Sequence, residues 1–112
     1  FTVLIAGDKK RGTTVYLPVE AVFNKALSND DKILDFKSYW AGYDETGAMP
    51  NPDDCHVKWR AAPEEIRHTL VNLCRDAYLA CGGTGYGRVD IRSNLTDVND
   101  PNFKVYALEV NA

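Results

Sequence analysis

Polar side chains recur at every second position in two segments near the C-terminal end of the sequence. The string GYGRVDIR carries Arg88 and Asp90, and the string FKVYALEVN carries Glu109 and Asn111. Side chains on a β-strand alternate between two faces, so each pair lies on one face of its strand. If the two strands form a hairpin, two carboxylates, an amide and a guanidinium converge on one surface.

This set of groups is suited to a hard cation bound beside a phosphoryl group. Mg²⁺ prefers oxygen ligands, uses one or two carboxylates and completes its octahedron with water and phosphate oxygens. The guanidinium of Arg88 offers a rigid charged fork for a phosphoryl group or a developing oxyanion. The alternative is an ordinary solvated sheet face with cross-strand ion pairs such as Arg88–Glu109. Spacing alone leaves both interpretations open.

Strict alternation also sorts the apolar residues of the last strand. Val105 and Ala107 fall on the face of Glu109, and Tyr106 and Leu108 fall on the opposite face. The alternation therefore separates Leu108 from its neighbour Glu109.

Strands are predicted at both ends of the sequence, where β-branched and aromatic residues are bounded by turn residues. They cover residues 2–7, residues 13–23 with a break or an edge position at Pro18, residues 85–92 and residues 103–111. Residues 2–7 and 13–23 are predicted to form one antiparallel hairpin, and residues 85–92 and 103–111 are predicted to form another. In the middle of the chain, residues 24–32 are predicted to form a polar loop. Residues 35–40 are predicted to form a short strand or an irregular aromatic segment, and residues 41–54 a long loop.

A long helix is predicted over residues 63–81, because apolar residues recur there at steps of three and four. Pro63 suits the first helical position, and Gly82 and Gly83 supply a left-handed C-terminal cap. Cys74 and Cys81 fall on the apolar stripe, so both are interpreted as core residues.

The order of the elements predicts an α+β fold, with a mainly antiparallel sheet and the long helix packed on one face. The 112 residues suit a single domain. The sequence starts directly in a strand pattern at Phe1 and stops just after another at Ala112. We interpret it as a (sub)domain cut from a longer protein.

Composition narrows the class of partner. The net charge is −3, which argues against a nucleic-acid partner because binding to a nucleic-acid backbone normally shows as a basic excess. No apolar run approaches the ~20 residues of a membrane helix. The three cysteines form an odd set without CxxC spacing, which favours a reducing compartment, and we predict a cytoplasmic location.

A family resemblance rests on the two C-terminal strings. Gly85-Tyr86-Gly87-Arg88-Val89-Asp90, followed by Leu108-Glu109-Val110-Asn111, resembles the closing signature of the D-alanine–D-alanine ligase-like branch of the ATP-grasp superfamily. The opening string FTVLIAG and the predicted helix also resemble elements of that family. The resemblance implies the C-terminal part of an ATP-grasp domain.

The resemblance also implies a role for each polar residue. Asp90 would bind one Mg²⁺, Glu109 would bridge two Mg²⁺ ions, and Asn111 would complete the second site. Arg88 would contact the transferred phosphoryl group, and Leu108 would pack beneath the adenine. The implied activity is an ATP-dependent C–N ligase that forms an amide bond through an acyl phosphate. Its cofactors would be ATP and two Mg²⁺ ions, or Mn²⁺.

The chain departs from the family where a phosphate-binding lysine is expected. In the string DFKSYW, the simplest register places Tyr39 at the lysine position, with Lys37 two residues earlier. Lys37 is a candidate cofactor-binding residue or an ordinary surface lysine. The expected partners are amino-acid-type small molecules and the rest of the ATP-grasp chain, without which this segment should not catalyse. The alternative is a degenerate relative that binds nucleotide or a partner without ligation.

A second resemblance concerns the connection between the last two strands. Residues 97–102, DVNDPN, resemble the calcium-binding linker of cadherins. A turn-forming loop explains the same residues, and the predicted helix contradicts an all-β cadherin fold.

Overall fold

The computed structural model describes residues 1–23, 28, 30, 32 and 57–112. They form six strands and one α-helix, numbered here in chain order: β1 (Thr2–Asp8), β2 (Gly12–Val15), β3 (Val19–Phe23), β4 (Val57–Ala61), α1 (Glu64–Ala80), β5 (Gly85–Ser93) and β6 (Val105–Asn111). The chain divides into two compact units, Phe1–Glu20 with Ala61–Ala112, and Ala21–Arg60. The first unit holds β1, β2, α1, β5 and β6.

In the first unit, β1 pairs with β2, with the first residue of β3 and with β5, and β5 pairs with β6. The pairs β1–β2, β1–β3, β1–β5 and β5–β6 are all antiparallel. Both predicted hairpins are therefore confirmed, and so is the α+β class with a mainly antiparallel sheet. The predicted break at Pro18 is also confirmed, since β2 ends at Val15 and β3 begins at Val19.

Helix α1 packs across one face of this sheet. Its buried residues Ile66, Leu70, Cys74 and Tyr78 recur every four residues, the spacing that places side chains on one side of a helix. They join Val3 and Ile5 of β1 and Val89 and Ile91 of β5 in one hydrophobic cluster. The helix therefore covers one face of β1 and β5, and alternate residues of both strands point to the other face.

The helix is shorter than predicted, with 17 residues rather than 19, and Pro63 is its N-cap. At the C-terminal end, Gly82 is left-handed (φ 75°). The N–H groups of Gly82 and Gly83 donate to the carbonyl oxygens of Leu79 and Tyr78, as in a Schellman motif. Cys81 is the C-cap and is exposed. Its predicted place in the core is wrong, because helical periodicity does not continue past the last turn.

The turn between β1 and β2 is fixed by Asp8. One carboxylate oxygen accepts from the N–H groups of Lys10 and Arg11 at 2.8 Å each, and the other accepts from Arg11 Nε at 2.8 Å. These hydrogen bonds, above all those from Arg11, lower the pKa of Asp8. Gly7, on β1, is left-handed (φ 109°), and a side chain there would overlap the carbonyl oxygen of Gly12.

Two further differences concern the strands. Strand β4 was not predicted, although its residues VKWRA alternate between apolar and polar. Strand β6 begins at Val105, two residues later than predicted. The segment predicted over residues 35–40, the long loop over 41–54 and Cys55 lie outside the described residues.

Candidate functional site

The polar residues predicted on the last two strands lie together on the face of the sheet that α1 does not cover. Val89 and Ile91 are buried against the helix, so Arg88 and Asp90 project to the opposite face. In the β5–β6 register, Arg88 is opposite Asn111 and Asp90 is opposite Glu109. The predicted convergence of these polar side chains is therefore present. We refer to this surface as the polar face.

Asp90 is the centre of the hydrogen bonds on the polar face. Its Oδ2 accepts from Arg88 through Nη2 at 2.8 Å and through Nε at 3.2 Å. The same oxygen accepts from Asn111 Nδ2 at 3.2 Å. Its Oδ1 accepts from the hydroxyl of Thr2, which lies directly opposite Asp90 on β1. Side chains from three strands therefore fix this carboxylate.

The ion pair on the polar face differs from the cross-strand pair considered in the sequence. Arg88 pairs with Asp90 of its own strand at 2.8 Å, and Glu109 has no hydrogen bond or ion pair among the described residues. Directly opposite residues have Cβ atoms about 5 Å apart, so Asp90 and Glu109 place two negative charges close together. Arg88 offsets one of them. The unpaired carboxylate of Glu109 leaves room for a further cation.

A β-bulge in β6 changes the predicted alternation. Asp90 pairs with Glu109, but the next residue, Ile91, pairs with Ala107. Leu108 is therefore the extra residue of the bulge. Ala107 shares the face of buried Ile91, which corrects the predicted grouping of Ala107 with Glu109.

The same shift moves two other residues of β6. Val105 packs against the core under α1, and it was wrongly grouped with the polar residues. Tyr106 lies opposite Arg92, which shares the face of Asp90 by alternation, so Tyr106 joins the polar face. Leu108 is 65% exposed. The bulge thus removes the separation between Leu108 and Glu109 that strict alternation predicted.

Apolar side chains border the charged centre on the same face. Leu4 lies opposite Arg88 and is 44% exposed, and Tyr86 is 72% exposed. A surface that combines a few placed charges with apolar neighbours suits a ligand that carries both a charged group and a ring system.

The donor set fits a hard divalent cation. Asp90 and Glu109 supply carboxylate oxygens, and Asn111 supplies Oδ1, because its Nδ2 is the atom directed at Asp90. Mg²⁺ uses one or two carboxylates and takes its remaining ligands from water and phosphate. Within the described residues, no group of three His, Cys, Asp or Glu side chains lies close enough to hold a metal. A cation here would therefore depend on the amide and on ligands from outside these residues.

The polar face is an open surface. A groove of about 490 Å³ lies elsewhere, between α1 and the loop that precedes β6. Its lining includes Ile66, Phe103 and Lys104, and it contains none of the predicted site residues. A ligand on the polar face would need a second surface to enclose it.

The remaining candidates are not part of this face. Lys37 and Tyr39 lie outside the described residues. In the loop that resembles a cadherin linker, Asp97 and Asp100 accept backbone hydrogen bonds at 2.9 and 2.7 Å. They form Asx turns, as the turn interpretation predicted. Helix α1 is also inconsistent with an all-β cadherin repeat.

Sequence reasoning did not identify Thr2 as part of the site. Thr2 is 88 residues away from Asp90 in the chain, and only the β1–β5 register brings them together. The FTVLIAG string identified β1 as a strand, but a strand pattern does not specify its partner or its register.

No family model, curated protein or solved structure matches this chain. The part of the chain that the structure describes contains no helix long and apolar enough to cross a membrane.

Proposed function

We propose that this chain is the C-terminal part of an ATP-grasp domain in an ATP- and Mg²⁺-dependent carboxylate–amine ligase of the D-alanine–D-alanine ligase-like kind. The observation that carries the proposal is the direct opposition of Asp90 and Glu109 on the uncovered face, with Arg88 and Asn111 beside them. These are the four polar positions to which the sequence resemblance assigns chemistry.

The bulge in β6 gives independent support. Leu108 and Glu109 are neighbours in the chain, and regular alternation would direct them to opposite faces. The proposed roles require both at the nucleotide, Leu108 beneath the adenine and Glu109 at the metal. An extra residue at position 108 and the exposure of its side chain remove this conflict.

Four residues of the polar face have a specific task in the proposed reaction. Asp90, Glu109 and the Oδ1 atom of Asn111 would hold the Mg²⁺ ions. When bound, Mg²⁺ neutralises negative charge on the β- and γ-phosphates. Arg88 would offer its guanidinium to the γ-phosphoryl group as it passes from ATP to the substrate carboxylate, with ADP as the leaving group. An amine would then attack the resulting acyl phosphate, with inorganic phosphate as the leaving group. In the present structure Arg88 is paired with Asp90, so this role requires Arg88 to exchange partners.

The proposal also covers the substrates, the rest of the domain and the cellular location. The substrates are small amino-acid-type molecules, and the second surface around the nucleotide comes from the rest of the ATP-grasp chain. Cys74 and Cys81 are free thiols, in keeping with the proposed cytoplasmic location.

ADP release from ATP, measured on the full-length chain with Mg²⁺, tests this proposal. We expect ADP release to require an amino-acid acceptor such as D-alanine, and we expect Glu109→Gln to lower it at least 100-fold, by loss of a metal ligand. Glu65→Gln is the matched control, because Glu65 is exposed on α1. Equal ADP release by the two variants would refute the assignment of Glu109.

The second candidate is a degenerate relative that binds nucleotide without ligation. It is favoured by the Arg88–Asp90 pair, because the arginine and the carboxylate already satisfy each other in the absence of ligand. This candidate predicts that ATP binds and that no ADP forms with any acceptor. Turnover that depends on an amino acid would exclude it.

A further inference from the structure

We propose that Thr2 is a positioning residue that fixes the metal-binding oxygen of Asp90. This inference rests on the proposed function, because it concerns the carboxylate assigned to Mg²⁺. Its basis is the hydrogen bond from the Thr2 hydroxyl to Asp90 Oδ1 and the position of the two residues directly opposite each other in the β1–β5 pair.

The two oxygens of Asp90 differ in the hydrogen bonds that they accept. Oδ2 accepts three N–H groups, two from Arg88 and one from Asn111. Oδ1 accepts only the hydroxyl of Thr2. A carboxylate oxygen has about two acceptor positions, so Oδ2 is saturated and Oδ1 keeps one position open. The open position on Oδ1 is therefore the one that a cation can use.

The hydroxyl of Thr2 determines where that open position points. Without it, only the hydrogen bonds to Oδ2 oppose rotation of the carboxylate about the Cβ–Cγ bond, and the proposed role of Arg88 releases two of those three. With it, both oxygens are tied, one to β1 and one to β5 and β6. Outer partners that orient a metal-binding carboxylate typically contribute 10–100-fold in metal affinity.

The strand context explains why Thr2 can hold this geometry. Six residue pairs of β1 and β5 are in register, from Thr2↔Asp90 to Gly7↔Gly85. The β-branched side chain of threonine also has few favourable χ1 rotamers in a strand. The backbone therefore places the hydroxyl next to Asp90 before any ligand arrives. A serine would keep the donor with more rotational freedom, and a valine would keep the shape without the donor.

Binding of Mn²⁺, followed by electron paramagnetic resonance on the full-length protein without nucleotide, tests the inference. Mn²⁺ prefers the same oxygen ligands as Mg²⁺ and is directly visible. We expect Thr2→Val to weaken Mn²⁺ binding by about 10–100-fold and Thr2→Ser to restore most of it. Thr14→Val is the matched control, because Thr14 is exposed and lies opposite Ala6, away from the carboxylates.

The outcomes separate this inference from the proposed function. If the natural protein binds no Mn²⁺ either without nucleotide or with ADP, and Glu109→Gln therefore changes nothing, the proposed metal site itself is wrong. If Glu109→Gln abolishes binding but Thr2→Val binds as tightly as the natural protein, the metal site stands and the role of Thr2 is refuted. Tighter binding by Thr2→Val would also refute it, because the hydroxyl would then compete with the cation. Unfolding in urea shows that each variant is folded.

Discussion

Two glycines next to the buried ring of Tyr78 give a quantitative test of the packing beneath the polar face. Tyr78 is fully buried, and its hydroxyl donates to the carbonyl oxygen of Gly7 at 3.2 Å. A Cβ added at Gly83 would overlap the ring, and one added at Gly87 would lie 2.8 Å from Tyr78 Cε2 and 3.0 Å from the carbonyl oxygen of Asn111. The ring is enclosed and anchored, so it cannot move aside freely.

We expect Gly83→Ala to lower the free energy of unfolding by about 1–3 kcal/mol, the usual cost of overpacking. Gly82→Ala is the control. Its Cβ would meet nothing within 4 Å, but its φ of 75° costs a side chain about 1–2 kcal/mol. The single variants thus have similar costs that arise from different causes.

Combining each alanine with Tyr78→Leu separates the two causes. Leucine removes the ring edge, so the cost of Gly83→Ala should fall by at least about 1 kcal/mol, while the cost of Gly82→Ala should stay the same. Gly87→Ala should recover only in part, because its contact with the Asn111 carbonyl oxygen remains. The assay is urea unfolding, with the midpoint and slope fitted for each variant. Additive costs for Gly83→Ala and Tyr78→Leu would refute the steric explanation.

Three further predictions concern charge, thiol reactivity and the bulge. The pKa of Asp8 is lowered from 3.8, first by hydrogen bonds from Arg11, so its stabilisation is present above pH 3.8 and is lost as the pH falls through the folded pKa. Asp8→Asn should therefore be less stable than the natural protein at pH 7, and the difference should shrink as the pH falls through the folded pKa, measured by urea unfolding; a constant difference would contradict this. Burial raises the pKa of Cys74 to about 11. In a Cys55→Ser variant at pH 8, a disulfide reagent should therefore modify Cys81 rapidly and Cys74 only on unfolding. Rapid modification of two thiols per chain would contradict the buried position of Cys74. Leu108→Ala should weaken ATP binding about tenfold, by loss of apolar contact, with little change in stability because the side chain is exposed; a loss of stability above about 2 kcal/mol would place Leu108 in the core instead.

The polar face was predictable because it depends on local patterns. Period-two alternation assigned Arg88 and Asp90 to one face of β5, and the hairpin brought Glu109 and Asn111 opposite them. Helix α1 was predictable for the same reason, since its apolar residues repeat at helical spacing. In both cases the evidence lies within about 25 residues of the chain.

The features that the sequence did not reveal depend on register or on the ends of elements. An extra residue such as Leu108 leaves no mark in composition, so alternation assigned Ala107 and Tyr106 to the wrong faces. Cys81 continues the helical spacing, but the chain has already left the helix. The partnership of Thr2 with Asp90 requires the pairing of two strands from opposite ends of the sequence, which no local pattern specifies.

The most direct test of the account is to locate a bound metal–nucleotide complex residue by residue. We would add Mn²⁺ with ADP to the ¹⁵N-labelled full-length protein and measure the paramagnetic broadening of each backbone amide. The account predicts that the amides of Asp90, Glu109 and their strand neighbours broaden first, while those on the exposed side of α1 stay sharp. Broadening centred on the loop with Asp97 and Asp100, or spread evenly over the chain, would contradict the assignment of the polar face.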